Sequence, residues 1–412
     1  MLIIINLKIA SLLFSSITKQ TPYQGGFYPW SGLPALKEHL EYGIKVVQMK
    51  IAIIGFSNSG KTTIFNALTG LGLPTSSYPS TSGEARMGVV NVPDERIDSL
   101  SGIFRPAKTT YAAVDYVDYI GFTKGDTKQN AKVHAHIKDA DALLQVVRAF
   151  EDPSVPHPFG GVDPMRDLRQ LEAELVLGDL MLVEKRLESI EESLKKGRKE
   201  KVNDAERAVL LKCREALEAE KPLRELEFSP EELKAIRHLE FLSIKPEVVV
   251  FNVAEEMLKD KETVQKLIQD AQGLLKGNAS ALAMSGKIEM ELAQLSPEEQ
   301  KAFLADLGIE EPALRRLIKV SYGLLRLISF FTAGEDEVKA WTIKEATPAS
   351  KAAGKIHSDI EKGFIRAEVV SYEDFMKCGG SMAEARKLGV FRLEGRDYPV
   401  KDGDIINFRF NI

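Results

Sequence analysis

The stretch IAIIGFSNSGKTTIF, Ile51 to Phe65, constrains the fold of this chain more than any other. A β-rich apolar run ends in Gly55-Phe-Ser-Asn-Ser-Gly60-Lys61-Thr62, which matches G-x-x-x-x-G-K-[ST], and a helix-like segment follows at once. Strand, glycine loop and helix in that order turn successive backbone N–H groups and a helix N-terminus toward an anion. Asn58, Ser59, Gly60, Lys61, Thr62 and Thr63 are therefore the residues expected to hold the phosphates of a nucleotide. Gly60 lets the backbone come close, Lys61 reaches the outer phosphates and is the leading catalytic residue, and the Thr62 hydroxyl can ligate Mg²⁺.

At 412 residues the chain exceeds what one growing core accommodates, so two or three domains are expected. A 44% hydrophobic and 28% charged composition is that of an ordinary globular protein. The net charge of −5 gives no global signature of nucleic-acid binding, which leaves only local patches for such contacts. Cys213 and Cys378 lack metal-like spacing and read as reduced cytosolic thiols, in keeping with a cytoplasmic location. The opening MLIIINLKIASLLFSS is apolar for about a dozen residues with Lys8 in the middle, too short for a membrane span. It has no basic region ahead of the apolar run and no convincing cleavage site, so no membrane role is expected. Because the nucleotide fold begins directly at Met49-Lys50-Ile51, residues 1–48 read as an N-terminal extension with a mis-assigned start.

From Ile51 short β-rich runs alternate with helical stretches, through MGVVNVP, VDYVDYIG and DALLQVVRAF to EVVVFNVAEE and SALAMSGK. That alternation predicts a doubly wound α/β sheet over 49–163 and 246–327. Residues 164–245 break the pattern: they are rich in Leu, Glu, Lys and Arg, and Leu168, Leu171, Leu175, Leu182, Leu187, Ile190 and Leu194 recur at helical spacing or its multiples. An inserted α-helical domain, a hairpin or short coiled coil, follows from this. Its tip, Lys195 to Lys201, carries five basic residues against Glu200 and is a candidate RNA-phosphate contact. Residues 328–412 alternate strand-like runs with Gly and Asp turns and predict a small α+β domain.

Two further loops complete the site. VDYVDYIG places Asp118 at a strand end with Gly121 after it, the D-x-x-G in which Asp118 holds Mg²⁺ and the Gly121 N–H senses the γ-phosphate. Between the two phosphate loops, SYPSTSGEARMG is switch-like, and Thr81 and Ser82 compete for a metal contact. The base-reading loop ends a strand with Asn252-Val253-Ala254-Glu255, where guanine-specific proteins carry N-K-x-D. With Val253 in place of the Lys packed over the base, and the longer Glu255 in place of Asp, the guanine clamp is weakened and adenine competes. Asn252, Val253 and Glu255, together with Ser285 after the strand of SALAMSGK, are the expected base-side residues.

Together these residues resemble the YchF subfamily of the Obg-like translation-factor nucleotidases, the Obg-like ATPases, over essentially Lys50 to Ile412. FFTAGEDEVKAWTI, AAGKIHSDIEKGFIRAEVVSY and FRLEGRDYPVKDGDIINFRF are similar to that family's TGS domain. The resemblance implies a P-loop NTPase core, an inserted helical domain, a C-terminal ubiquitin-like TGS domain, ATP preferred over GTP, Mg²⁺ dependence and association with the ribosome or its large subunit. It also puts the family's switch threonine on Ser82. Departures exist: Ser57 and Ser59 stand where the family has Pro and Val, the segment after D-x-x-G is about three residues shorter, and a strand His is Gln145.

Many P-loop GTPases place a Gln after D-x-x-G to orient the attacking water; this chain has Phe122. Slow hydrolysis is expected, resting on Lys61, Mg²⁺ and backbone N–H groups unless a partner or Lys124, Lys128 or His134 completes the site. Three readings stay open: a slow Mg-ATPase switch on the ribosome, a GTP-selective assembly factor of the Obg class, and a nucleotide-gated binding module.

Overall fold

The computed structural model describes residues 49–73, 85–196 and 204–411. Ser82, most of the basic tip and the N-terminal extension lie outside the described residues. Among the described residues, no helix is long and apolar enough to cross a membrane.

The first sheet has six strands in the order β2-β4-β1-β5-β6-β7: β1 (Lys50–Ile54), β2 (Arg86–Asn91), β4 (Ala113–Asp118), β5 (Ala142–Ala149), β6 (Glu247–Val253) and β7 (Ala279–Met284). All neighbours are parallel except β2, which runs antiparallel to β4 at the edge. Central β5 and β6 are buried along their whole length, the pattern of strands covered on both faces. One face packs α1 (Lys61–Thr69), α2 (Glu95–Phe104) and α11 (Ala313–Leu324) around Ile51, Phe65, Tyr116 and Leu317. The other packs α3 (Thr127–Ile137), the start of α4 (Pro164–Lys195) and α8 (Lys261–Leu274) around Ile54, Val147, Leu171 and Phe251. This is the doubly wound arrangement that the alternating runs predict.

Helix α4 has 32 residues and serves two cores in turn. Leu168, Leu171 and Leu175 seat it on the sheet, and Val183, Leu187 and Ile190 then pack against α5 (Asp204–Glu218) through Val209, Leu210, Cys213 and Leu217. Leu182 and Leu194 of the expected stripe are only partly buried, because Val183 takes the inward position. Asp179 ties the end of the insertion back to α4, accepting from Leu242 N at 2.9 Å and Ser243 N at 2.7 Å.

The C-terminal sheet holds β8 (Leu327–Ala333), β9 (Glu337–Lys344), β10 (Phe364–Ser371), β11 (Arg392–Glu394) and β12 (Asp404–Phe410), in the order β11-β10-β12-β8-β9-β3. Its sixth strand comes from far upstream: β3 (Lys108–Thr110) pairs in parallel with Glu337–Lys339. Arg96 joins the same contact, bonding Asp402 at 2.6 Å and lying over the Phe331 ring. One apolar cluster runs from Ile51 through Tyr322 to Phe331 and Ile405. No periodicity in the sequence predicts this shared strand.

Candidate nucleotide site

The phosphate loop is held by neighbours that leave no room for larger residues. A side-chain carbon on Gly55 would sit 2.4 Å from Val146 O, and one on Gly60, whose φ is +92°, would sit 2.1 Å from Asn252 Nδ2. Asn58 takes a left-handed φ of 64° and donates from Nδ2 to Pro156 O at 3.0 Å, so the loop after β5 buttresses the turn. Ser59 is 3% exposed and its Oγ has no hydrogen-bond partner. Thr62 and Thr63 open α1, the helix whose N-terminus would face the phosphates.

The ammonium of Lys61 is buried and donates to Phe56 O at 2.8 Å. Burial pushes its pKa down to about 8, against the opposing pull of Asp118. Thr62 Oγ1 donates to Asp118 Oδ2 at 2.9 Å, while Asp118 Oδ1 is buried without a hydrogen-bond partner. Burial also raises the pKa of Asp118. Gly121 closes this side: a side-chain carbon there would lie 2.5 Å from Lys61 Nζ and 2.9 Å from Gly55 O. A bare buried carboxylate oxygen beside a threonine hydroxyl is a hard-oxygen donor pair, and it fits Mg²⁺. Among the described residues no group of three or more His, Cys, Asp or Glu could hold a metal ion, so an ion here would fill the rest of its shell with water and phosphate oxygens.

On the base side, Asn252 is a strut as much as a reader. Its Nδ2 donates to Ser59 O at 3.1 Å and its Oδ1 accepts from Gly286 N at 3.0 Å, joining the phosphate loop to the turn after β7. Ser285 is buried at the N-cap of α9 (Gly286–Leu292). Glu255 begins α7 (Glu255–Lys259) half-exposed, 3.7 Å from Lys259. Val253 departs from the expectation: it is 2% exposed and packs in the core with Val249 and Phe251, so its side chain is spent there rather than laid over a base.

Phe122 is also core, at 0% exposure. It bridges to Phe56, its N–H donates to Gly55 O at 3.0 Å, its carbonyl accepts from Ser57 N at 3.3 Å, and its ring meets His134 edge-on. His134 is held in turn against Glu174 O at 3.1 Å, with its pKa lowered by burial, and Lys124 lies over the Phe159 ring. Gln145, far from a free catalytic group, donates to Glu172 at 2.5 Å and Glu247 at 2.7 Å. Sequence reasoning also missed Arg148, whose guanidinium binds the carbonyls of Phe150, Asp152 and Val155 and so shapes the loop that reaches Asn58. The one signal was a lone Arg near the end of a strand whose only other polar residue is Gln145.

A strand-loop-helix phosphate turn, a strand-end Asp bonded to its threonine and an Asn strut at the next strand end define a P-loop nucleotide-binding protein. Comparison with known proteins agrees and is narrower. The family model described as 50S ribosome-binding GTPase matches residues 50–213, and the YchF-GTPase C-terminal model, described as a protein of unknown function, matches 327–411. The chain is 43% identical over 366 residues to the ribosome-binding ATPase YchF of Bacillus subtilis, covering 87% of this chain and 98% of that protein. It is 40% identical to the protein of the same name from Escherichia coli O157:H7, covering 88% and 99%. The solved Schizosaccharomyces pombe YchF GTPase superposes with a TM-score of 0.74 at 31% identity, over 88% of this chain and 98% of that one. The chain belongs to the YchF family.

Proposed function

We propose that this protein is a ribosome-associated, Mg²⁺-dependent nucleotidase that binds ATP ahead of GTP and hydrolyses it slowly. The observation that carries the reading is the set of Lys61, Thr62 and Asp118, where a buried ammonium, a hydroxyl and a buried carboxylate oxygen with no hydrogen-bond partner meet at the phosphate loop. Thr62 and Asp118 would hold the Mg²⁺, which when bound offsets charge on the phosphate oxygens. Lys61 exchanges the Phe56 carbonyl for the outer phosphates, and the Gly121 N–H meets the γ-phosphate. With Phe122 sunk in the core, no side chain at that position orients water, which supports a slow intrinsic rate. The relatives named ribosome-binding ATPase support both ribosome and nucleotide.

In this reading residues 328–412 form a TGS-type domain, 164–245 the helical arm, and nucleotide state alters the loops between them. The match to a model described as a GTPase favours a second reading, in which Glu255 still clamps guanine. Titrating the purified protein with ATP and GTP, with Mg²⁺ and with EDTA, separates them: a tenfold preference is 1.4 kcal/mol. Tighter binding of GTP would overturn the first reading. Ribosome co-sedimentation unchanged in Lys61→Ala would make the protein a binding module with incidental hydrolysis.

A further inference from the structure

Helix α8 covers the sheet incompletely. Of its 14 residues only Ala271 is fully buried, and Val264 and Ile268, one turn apart, are only partly covered. These two side chains and Leu258 of α7 floor a groove of about 360 Å³ that follows α8 as far as Gln272 and meets Arg316 of α11. From Lys261 to Gln272 the groove spans three turns, about 16 Å at 1.5 Å per residue. Leu258 also packs toward Leu304 of α10 (Pro297–Asp306), which fixes that end of the floor. None of the lining residues belongs to the phosphate loop or to the expected base-side set.

The rim carries one sign of charge. Lys261 and Arg316 are the charged residues that line the groove, and both are cations. The acidic residues of α8 turn elsewhere: Glu262 and Asp270 stand about 100° and 180° around the helix from Lys261. Among the described residues neither cation is in an ion pair. Arg316 senses Glu289, yet the two oxygens of that carboxylate are taken by Ala313 N at 2.8 Å and Leu314 N at 3.3 Å. One exposed lysine would signify nothing. Two cations bracketing a strip of uncovered apolar side chain, with no carboxylate between them, are the complement of an acidic amphipathic surface.

The shape selects the occupant. Lys261, Gln265, Gln269, Gln272 and Arg316 are all exposed, so these walls cannot enclose a small molecule as ligand pockets do. A second copy of the chain is disfavoured by sign, because two such rims would meet cation to cation. A helix laid along α8 satisfies both limits: its apolar residues, a turn apart, seat on Val264 and Ile268, and its outer face stays in water. We propose that the groove between α8 and α11 is a docking site for an amphipathic helix of a partner protein, with carboxylates flanking its apolar stripe.

The test is fluorescence anisotropy on the full chain with a labelled helical peptide that repeats Leu at i, i+4 and i+7 between flanking glutamates. A second peptide carries Lys in place of every Glu, and a third is the acidic one broken by a central Pro. The acidic peptide should bind saturably, at least about tenfold tighter than the basic one. Ile268→Gln removes the floor without touching charge and should weaken the acidic peptide about tenfold. Lys261→Glu with Arg316→Glu should invert the preference, so that the basic peptide binds the variant at least about fivefold tighter than it binds the wild type. Loss of fold cannot produce that gain. The proposal falls if the acidic peptide does not bind, if the charge reversal leaves the preference as it was, or if the Pro-broken peptide binds equally well, since adhesion of charge alone needs no helix. It falls also if sedimentation equilibrium shows a dimer of the wild type that the charge reversal dissolves, which would make the groove a contact between copies.

Discussion

Two buried groups of charge flank the central sheet, and they are built differently. At the phosphate loop, Lys61 contacts a backbone carbonyl and Asp118 contacts a hydroxyl, with one carboxylate oxygen bare. In the second group Gln145, Glu172, Arg224 and Glu247 converge from β5, α4, the segment after α5 and the start of β6. There Arg224 pairs with Glu172 and, at 2.5 Å, with Glu247, and burial next to Glu172 holds the Glu247 carboxyl well above its ordinary range. Ion pairs among the side chains of the second group pin the helical insertion to the sheet, even though Gln145 Oε1, Arg224 Nε and Glu247 Oε1 have no hydrogen-bond partner there; at the phosphate loop Lys61 and Asp118 pair with a backbone carbonyl and a hydroxyl instead.

The largest test removes the pin. Arg224→Met leaves the carboxyl groups of Glu172 and Glu247 facing each other in the core without their shared cation and should cost about 3–5 kcal/mol in urea unfolding. A loss under about 1 kcal/mol would mean the cluster is no pin. At the phosphate loop the pattern inverts. Lys61→Ala should weaken triphosphate binding at least a hundredfold, about 2.7 kcal/mol, while the thermal midpoint of the free protein holds or rises, since a buried ammonium is gone. A falling midpoint with intact binding would erase the contrast.

The charge at the phosphate loop also has a pH signature. The pKa of Lys61 lies near 8 in the fold, below its ordinary 10.5. Between those values the unfolded chain binds more protons than the native one, so this group makes the free protein more stable as pH rises through that window. A bound triphosphate favours the charged amine, so binding should take up a proton and weaken above about pH 8. Calorimetry at pH 8.5 in two buffers of different ionisation enthalpy measures the uptake, which Lys61→Met should abolish. The smallest effect is Phe122→Leu: about 1 kcal/mol of stability, with ATP affinity within a few-fold. A larger loss of affinity would assign Phe122 to the site rather than the core.

Much of the nucleotide loop set is local, and so it was legible. Gly60, Lys61 and Thr62 are adjacent, and Asp118 ends an apolar strand. Val253 was expected on the base side because a residue in a loop motif looks like a loop residue until the opposite face of the sheet is packed. The strut made by Asn252 was illegible for the same reason: its partners, Ser59 and Gly286, come from other loops.

Spacing within a few residues sufficed for the chemistry of phosphate binding, because a strand, a glycine turn and a helix N-terminus orient their own N–H groups wherever the chain runs. Packing alone decided the rest. It carried β3 some 230 residues along the chain to the edge of the C-terminal sheet, closed Gln145 between two carboxylates, and set Arg316 of α11 beside the groove that Lys261 and Ile268 line on α8. Those contacts join residues with no sequence proximity, and only burial and strand register bring them within reach.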